Sequence, residues 1–284
     1  MKKAQTNGMG VVGLLLIIFG VLLFIYYGNF NIFDGIFNNS NKTNEPPEKE
    51  SNLGGIKVAN WNLQIYGDSK ASNPSLIDFY QSKIKNYDII FIQEIRDIDG
   101  SAFDVLCDGL NEYLCVISSR AGRSSSKEQY GIIYKKEIYL ESLYDYNLNN
   151  QTIEIWERPP IEVTFNYNNK SIVFYNIHIK PDDVKQELDY LEKYRRFDLE
   201  DNVIFLGDFN ADCNYYSPQT EPEFDRWYWV IQDYEDTTVS KTDCAYDRII
   251  VSQPIKNMIL NSGIDKEVTE EQSDHYLVWV ELEW

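Results

Sequence analysis

Basic residues are scarce in this 284-residue sequence, which has 26 Lys and Arg against 45 Asp and Glu and a net charge of −19. Because phosphate contacts dominate nucleic-acid affinity, this balance argues against a sequence-specific DNA reader with a broad basic face. It leaves open an enzyme that binds phosphate through a metal ion, since the ion supplies local positive charge. Internal repeats are also absent from the sequence, which argues against a solenoid fold.

The sequence contains one long apolar run, Val11–Tyr27, which has no charged residue and follows Lys2 and Lys3. With the two residues before it, the run reaches the roughly 17–25 residues that a helix needs to span a bilayer. We therefore predict a single-pass membrane anchor over residues 1–27, with the rest of the chain outside the cell. A secretory signal, and hence a secreted protein, is the alternative, although signal cores are usually about 7–15 residues long.

Residues 28–55 are rich in Asn, Lys and Glu and contain Pro46-Pro47 and Gly54-Gly55. This composition cannot bury a core, so we predict a flexible linker before a globular domain over residues 56–284. An extracellular domain with an even number of cysteines is compatible with two disulfides, and four free buried thiols are the alternative. The cysteines are Cys107, Cys115, Cys213 and Cys244.

The domain alternates between short apolar strands and stretches with apolar residues at helical spacing. We predict helices over Ser75–Lys85, over Ser101–Glu112 and from Pro181 to about Glu200. This order of elements favours an α/β sandwich of two packed sheets flanked by helices. The predicted strands are Ile56–Asn62, Asp88–Gln93, Tyr113–Ser118, Tyr130–Lys135, Ile138–Tyr144, Ile161–Tyr167, Ser171–His178, Val203–Leu206, Asp247–Val251 and Tyr276–Leu282.

The sequence has only two histidines, His178 and His275, and each lies at the edge of an apolar strand next to polar residues. Sheets present active groups at strand ends, so we favour a functional role for both over a structural one. Asp208 and Asn210 follow another apolar strand. Their side-chain oxygens suit Mg²⁺, and the Asn210 amide could instead contact a phosphate oxygen. An ordinary Asp/Asn turn is the alternative for that pair.

Further polar residues also end strands. Glu94 is a candidate metal ligand and Asn62 could orient a ligand, with a solvated strand end as the alternative for both. If these strands share a sheet edge, carboxylates for a cation and two imidazoles for proton transfer come together. This combination predicts metal-assisted phosphodiester hydrolysis. The set is Asn62, Glu94, His178, Asp208, Asn210, Asp274 and His275.

Five segments resemble, in order, the motif series of the endonuclease/exonuclease/phosphatase superfamily. Their amino-acid sequences are most similar to those of its pancreatic deoxyribonuclease I branch. The resemblance runs from about Ile56 to the C-terminus and implies a four-layer α/β/β/α sandwich as the catalytic domain. The segments are Asn60-Trp61-Asn62, Ile92-Gln93-Glu94-Ile95-Arg96-Asp97, Gly207-Asp208-Phe209-Asn210-Ala211-Asp212-Cys213, Cys244-Ala245-Tyr246-Asp247-Arg248 and Ser273-Asp274-His275-Tyr276.

The resemblance assigns a role to each residue of the site. It implies Mg²⁺, or Mn²⁺ in its place, held mainly by Glu94 with help from Asn62 and Asp274. It implies that Asp208 and Asn210 hold the scissile phosphate and the attacking water.

The resemblance also implies that His178 and His275 are the acid–base pair. Each imidazole would be oriented by a carboxylate, Glu128 for His178 and Asp247 for His275. Such a carboxylate fixes the imidazole tautomer and stabilises its protonated form.

Two structural features follow from the same resemblance. It implies a disulfide between Cys213 and Cys244 and offers no pairing for the other two cysteines. It also implies a structural Ca²⁺ loop through Asp236, Thr238 and Ser240, in which Ser240 replaces the usual Thr.

The resemblance implies a DNA substrate, since the family contacts the minor groove through basic and aromatic side chains. Gln64 and Ser126 replace an arginine and a stacking tyrosine of deoxyribonuclease I. The loss of a cation and of a stacking ring predicts weaker binding to a DNA duplex. We expect a monomeric extracellular DNA endonuclease without a protein partner. The alternatives are a superfamily enzyme acting on another substrate, such as a phospholipid headgroup, and a non-catalytic binding protein. The matched contacts are Arg96, Arg123, Arg158 and Tyr246.

Overall fold

The computed structural model describes residues 55–149 and 154–284. The predicted anchor and almost all of the predicted linker lie outside these residues. Within the described ranges, no helix is long and apolar enough to cross a membrane.

The described chain forms two mixed six-stranded sheets. In chain order the strands are β1 (Ile56–Tyr66), β2 (Ile89–Ile95), β3 (Tyr113–Ile117), β4 (Gln129–Lys135), β5 (Tyr139–Asp145), β6 (Ile161–Tyr167), β7 (Lys170–His178), β8 (Val203–Asp208), β9 (Tyr228–Trp229), β10 (Asp247–Val251), β11 (Ile259–Asp265) and β12 (Leu277–Leu282). The first sheet has the order β11-β12-β1-β2-β4-β3 and the second β5-β6-β7-β8-β10-β9. In each sheet one inner pair is parallel, β1 with β2 and β7 with β8.

Helices lie between these strands. They are α1 (Asp68–Ala71), α2 (Pro74–Ile84), α3 (Ser101–Cys107), α4 (Val184–Tyr194) and α5 (Gln253–Lys256). α2 begins where the sequence predicts a helix, because the Asn73 side chain accepts a hydrogen bond from the backbone N of Ser75 at 3.1 Å. Pro74 occupies the first helical position, where a missing N–H has no cost.

Two helices end earlier than the sequence pattern predicts. α3 stops at Cys107 because Gly109 adopts a left-handed conformation with φ of +87°, which terminates helices. α4 stops at Tyr194, and the backbone N of Arg196 instead donates to the Tyr175 hydroxyl at 2.9 Å. Tertiary contacts therefore override the helical pattern of the charged stretch.

Three apolar clusters separate the layers. Ile56 and Val58 of β1 pack against Phe174 in the core between the two sheets. The other face of β1 packs on α2 and α3, where the Trp61 ring lies 5.4 Å from the ring of Tyr80. α4 covers the outer face of the second sheet in the third cluster. The predicted arrangement of two mixed sheets with helices is confirmed.

All four cysteines form disulfides. Cys213 is bonded to Cys244, as the resemblance implied. Cys107 is bonded to Cys115, a pairing that the resemblance did not supply. This second bridge joins the end of α3 to the edge strand β3, so the alternative of free thiols was wrong.

Candidate active site

The polar strand ends singled out from the sequence meet at one end of the core between the sheets. Both parallel pairs carry their C-terminal ends to this edge, where open α/β sheets typically bind ligands. β1 and β2 place Asn62 and Glu94 there. His178 of β7 pairs directly with Asp208 of β8, and Asp247 of β10 pairs with Asp208 from its other side.

Side-chain alternation aims most of these groups into the space between the sheets. Successive residues of a strand point to opposite faces, so residues two apart share a face. The apolar positions of the core between the sheets therefore continue into a buried polar layer at the edge. This layer contains Asn62, Glu128, His178, Asp208 and Asp247.

Glu94 reaches the same layer through a backbone irregularity. Its φ of +63° is left-handed, and β2 shifts register with both neighbours at this point. Such a conformation costs on the order of 1–3 kcal/mol for a residue other than glycine, so local contacts must offset it. The Glu94 carboxylate accepts hydrogen bonds from Asn62 Nδ2 at 3.3 Å and Ile65 N at 2.8 Å, and it lies 3.0 Å from the Arg96 guanidinium.

Each histidine is held through Nδ1 by a buried carboxylate. Nδ1 of His178 lies 2.7 Å from Oε1 of Glu128, and Nδ1 of His275 lies 2.7 Å from Oδ2 of Asp247. Both Nε2 atoms face Oδ2 of Asp208, at 3.4 Å from His178 and 3.6 Å from His275. A carboxylate on Nδ1 leaves Nε2 to exchange protons, so both imidazoles present their reactive nitrogen to one point.

Asp208 is the centre of the site. Its Oδ2 also accepts from Asn62 Nδ2 at 3.0 Å, and its Oδ1 accepts from the backbone N of Asn210 at 3.1 Å. Asn210 is left-handed, with φ of +49°, and its Nδ2 donates to a backbone carbonyl at 2.9 Å. Only glycine fits at Gly207, because an added Cβ would lie 1.9 Å from the carbonyl oxygen of Ile177.

Arg96 and Arg158 lie beside the pair formed by His178 and Glu128, called the His178 pair below. Burial opposes protonation of His178 and Arg158 adds to that effect, but Glu128 and Asp208 outweigh both and raise the pKa of His178. Burial likewise opposes ionisation of Glu128, but the charges of His178, Arg158 and Arg96 outweigh it. The pKa of Glu128 is therefore lowered.

Further carboxylates lie beside the pair formed by His275 and Asp247, called the His275 pair below. Burial opposes protonation of His275, but Asp247, Asp208 and Asp274 outweigh it and raise its pKa well above the usual histidine range. Burial raises the pKa of Asp247, which the charge of His275 opposes. This pair therefore retains a proton strongly.

The site contains oxygen ligands that fit a hard divalent cation. Glu94, Glu128 and His178 each present a ligand atom, and these atoms lie within 4.8 Å of one another. Glu128 is already hydrogen-bonded to His178 Nδ1. Glu94 is therefore the carboxylate of this group with the best access to a cation.

The other two predicted cation ligands have different settings. Asn62 turns Nδ2 toward the carboxylates, while its Oδ1 accepts from the backbone N of Gln64 at 2.8 Å. The Asp274 side chain is about half exposed, with Oδ1 3.8 Å from Nε2 of His275. Their role as ligands stays a prediction.

The predicted DNA contacts are placed unequally. Arg96 lies at the site, 3.6 Å from Glu128, and donates to Ser126 Oγ at 3.3 Å. Arg158 is buried behind His178, where Nε donates to the backbone carbonyl of His178 at 2.9 Å and lies 3.5 Å from Glu128. Its guanidinium therefore supports the His178 pair, a role that the sequence did not signal.

The remaining two contacts lie further out. Arg123 is exposed, and its Nε lies 3.6 Å from the Glu157 carboxylate. Tyr246 is partly buried and packs beside Tyr215, with ring centroids 5.7 Å apart. Contact of these residues with DNA stays a prediction.

The predicted calcium loop lies against the His275 side of the site. Asp236 Oδ1 accepts from both N and Oγ1 of Thr238, each at 3.0 Å. Ser240 Oγ lies 3.4 Å from Thr238 Oγ1, and Thr238 forms an isolated β-bridge with His275. The loop thus supports the histidine through its backbone, and Ca²⁺ binding stays a prediction.

Lys70 supports the site in a way that the sequence did not indicate. Its Nζ donates to the backbone carbonyls of Leu63 at 2.7 Å, Gln64 at 2.6 Å and Gln272 at 2.8 Å. It thereby ties the last part of β1, beyond Asn62, to the loop that carries the second histidine. A single lysine on a short helix offers no pattern from which this contact could be predicted.

Comparison with known proteins gives consistent matches. A model of the endonuclease/exonuclease/phosphatase family matches residues 59–275. Deoxyribonuclease-1 of Equus caballus is 31% identical over 260 residues, covering 80% of this chain and 92% of that protein. Deoxyribonuclease gamma of Homo sapiens is 32% identical over 266 residues, covering 80% of this chain and 86% of that protein.

Solved structures show a similar fold. An endonuclease/exonuclease/phosphatase family protein from Leptotrichia buccalis matches with a TM-score of 0.60 at 17% identity, covering 81% of this chain and all of that chain. The human Nocturnin catalytic domain with bound sulfate matches with a TM-score of 0.57 at 15% identity, covering 80% of this chain and 93% of that chain. At these identities the likeness concerns the fold alone.

Proposed function

Because the chain belongs to the endonuclease/exonuclease/phosphatase family and is a nuclease-type hydrolase, we propose that it is a metal-dependent endonuclease that hydrolyses DNA phosphodiester bonds. The observation that carries this proposal is the position of Asp208 between two histidine–carboxylate pairs, with both Nε2 atoms within 3.6 Å of one of its oxygens. A phosphate beside Asp208 would lie between two proton-transfer groups.

Two imidazoles divide the proton transfers in this proposal. One takes a proton from the attacking water and the other gives a proton to the leaving oxygen, and such groups typically contribute about 10²–10⁴-fold each. Asp208 and Asn210 hold the phosphate and the water. Mg²⁺ or Mn²⁺, held by Glu94 with Asn62 and Asp274, would neutralise charge on the phosphate.

A plasmid-nicking assay tests the activity. We expect Mg²⁺-dependent conversion of supercoiled DNA to nicked circles, and loss of that conversion when a chelator is added. Thr164 is a buried polar residue of β6. The variant Thr164→Val serves as a control protein and should retain the nicking activity. Intact DNA together with Mg²⁺-dependent hydrolysis of a phospholipid headgroup would favour the other substrate class, and no hydrolysis by folded protein would favour a binding role.

We further propose that the enzyme is monomeric and is anchored to the cell membrane with its catalytic domain outside. The apolar run behind Lys2 and Lys3 supports this topology, and the two disulfides fit an oxidising compartment. Protease added to intact cells should remove the domain. A protease-protected protein in the soluble fraction would contradict the topology, while release into the medium would favour the secreted alternative.

A further inference from the structure

Three buried amides form a layer directly beneath the active site. They are Asn60, Gln93 and Asn176, and none has exposed surface. They lie one or two positions before site residues on β1, β2 and β7. The core between the sheets is otherwise apolar below them, with Phe91 and Phe174 two positions earlier on β2 and β7.

Hydrogen bonds join these amides across the two sheets. Oδ1 of Asn60 accepts from Gln93 Nε2 at 2.6 Å within the first sheet and from Asn176 Nδ2 at 3.2 Å across the gap. Asn176 Nδ2 also donates to the carbonyl oxygen of Leu206 on β8, at 3.1 Å. The amides thus connect the four strands that carry Asn62, Glu94, His178 and Asp208.

The amide layer is an unfavourable way to fill a core. Within the described residues, no protein atom hydrogen-bonds to Asn60 Nδ2, Gln93 Oε1 or Asn176 Oδ1. Burying polar atoms without partners opposes folding, whereas apolar groups of similar size would fill the same space without that cost. The layer therefore calls for an explanation other than stability.

The active site itself is divided between the sheets. Glu128 precedes β4 of the first sheet and bonds to His178 of the second, and Asp247 of the second sheet bonds to His275 beside β12 of the first. Both histidine–carboxylate pairs therefore cross the gap that the amides span. A change in sheet separation would alter both pairs at once.

Resting on the proposed function, we propose that Asn60, Gln93 and Asn176 are positioning residues that form an amide clamp between the sheets. The clamp fixes the separation and register of the sheets at the site. It thereby sets the two histidine–carboxylate pairs and the placement of Glu94 relative to Asp208. Misplacement of reacting groups by about 1 Å lowers rates by roughly 10²-fold, so a modest shift between the sheets has a large effect on turnover.

The test replaces all three amides together, as Asn60→Val, Gln93→Leu and Asn176→Val. We expect a Tm equal to or above that of the wild type, kcat on plasmid DNA lowered roughly 10–100-fold, and KM changed by less than about twofold. The Nδ1–H NMR signals of the two histidines report the bonds across the gap without any need for activity, and we expect both to shift or broaden. Thr164→Val, a buried polar-to-apolar change on β6, should leave all four readouts unchanged.

If the triple variant fails to fold, a single substitution tests the same proposal. Asn176→Val alone removes the bond across the gap and should lower kcat and shift the His178 signal. Wild-type histidine signals and wild-type kcat in either folded variant would overturn the clamp. If the wild type cleaves no DNA, the proposed function fails, while the NMR signals and Tm still decide whether the clamp exists.

Discussion

The two histidine–carboxylate pairs share one geometry but differ in their surroundings. Each Nδ1 lies 2.7 Å from its carboxylate. Burial lowers the pKa of both histidines, and the neighbouring carboxylates outweigh it at both. Arg158 opposes that rise at His178, whereas Asp247, Asp208 and Asp274 all favour it at His275. Hydrogen-bond geometry therefore orients both rings, and the neighbouring charges set their proton affinities. We expect His275 to act as the general acid and His178 as the general base.

The orienting carboxylates differ in the same way. Glu128 lies 3.5 Å from Arg158 and 3.6 Å from Arg96, and its pKa is lowered although burial opposes this. Asp247 is fully buried, and burial raises its pKa against the charge of His275. The first carboxylate balances two cations, and the second depends mainly on its histidine.

Removal of either imidazole has the largest expected effect. His178→Ala and His275→Ala should each lower kcat/KM by about 10²–10⁴-fold, because each removes a positioned proton-transfer group. If both act in one step, the double variant should be little worse than either single variant. Steady-state cleavage assays at matched Tm measure this. Wild-type turnover of His275→Ala would refute the acid–base pair.

Replacement of the carboxylates tests whether the two pairs differ in their charge balance. Glu128→Gln and Asp247→Asn should each lower kcat by about 10²-fold or more, because each imidazole loses its tautomer control. Glu128→Gln should also destabilise the fold by roughly 3–5 kcal/mol, because the buried cations of Arg158 and His178 lose their carboxylate partner, while Arg96 keeps Glu94 at 3.0 Å. Asp247→Asn should change stability little. Denaturant titrations measure the difference, and equal destabilisation of the two variants would contradict the comparison.

The strand ends of the site could be predicted because local patterns determine them. β10 has its predicted bounds, Asp247–Val251, since a short apolar run between polar residues is a strong strand signal. Both histidines, Asp208 and Asn210 also lie where the sequence places them. Strand alternation and the parallel pairing of the inner strands then bring these residues to one edge.

Other features depend on contacts that the sequence does not encode locally. β11, Ile259–Asp265, was not predicted because Asn261, Ser262 and Gly263 break the apolar alternation, and its pairing with β12 defines it. The left-handed turn at Glu94 has no local signal either. Arg158 and Lys70 act on groups that only tertiary structure brings near, so their support of the site could not be predicted.

The pH profile tests the assignment of base and acid. Although the pKa of His178 is raised overall, burial and then Arg158 oppose that rise, so Arg158→Met should raise the pKa further. A general base works when neutral, so a higher pKa moves the acidic limb of the kcat/KM profile to higher pH. The exposed Arg123→Met is the matched control and should leave the limb in place. A shift of the alkaline limb instead would give the acid role to His178.

The smallest expected effect concerns the surface beside the His178 pair. Ser126 is exposed and accepts a hydrogen bond from Arg96 at 3.3 Å, so a ring at this position would lie beside the cation that contacts Glu128. Ser126→Tyr should lower KM for duplex DNA by about fivefold or more, because stacking on a base contributes roughly 1–3 kcal/mol. We expect kcat of this variant to stay the same, because its acid–base groups are unchanged. Ser125 is also exposed, and the control variant Ser125→Tyr should alter neither KM nor kcat. An unchanged KM in Ser126→Tyr would indicate that DNA binds on the His275 side, near Tyr246. The general base His178 would then lie apart from the surface that binds substrate.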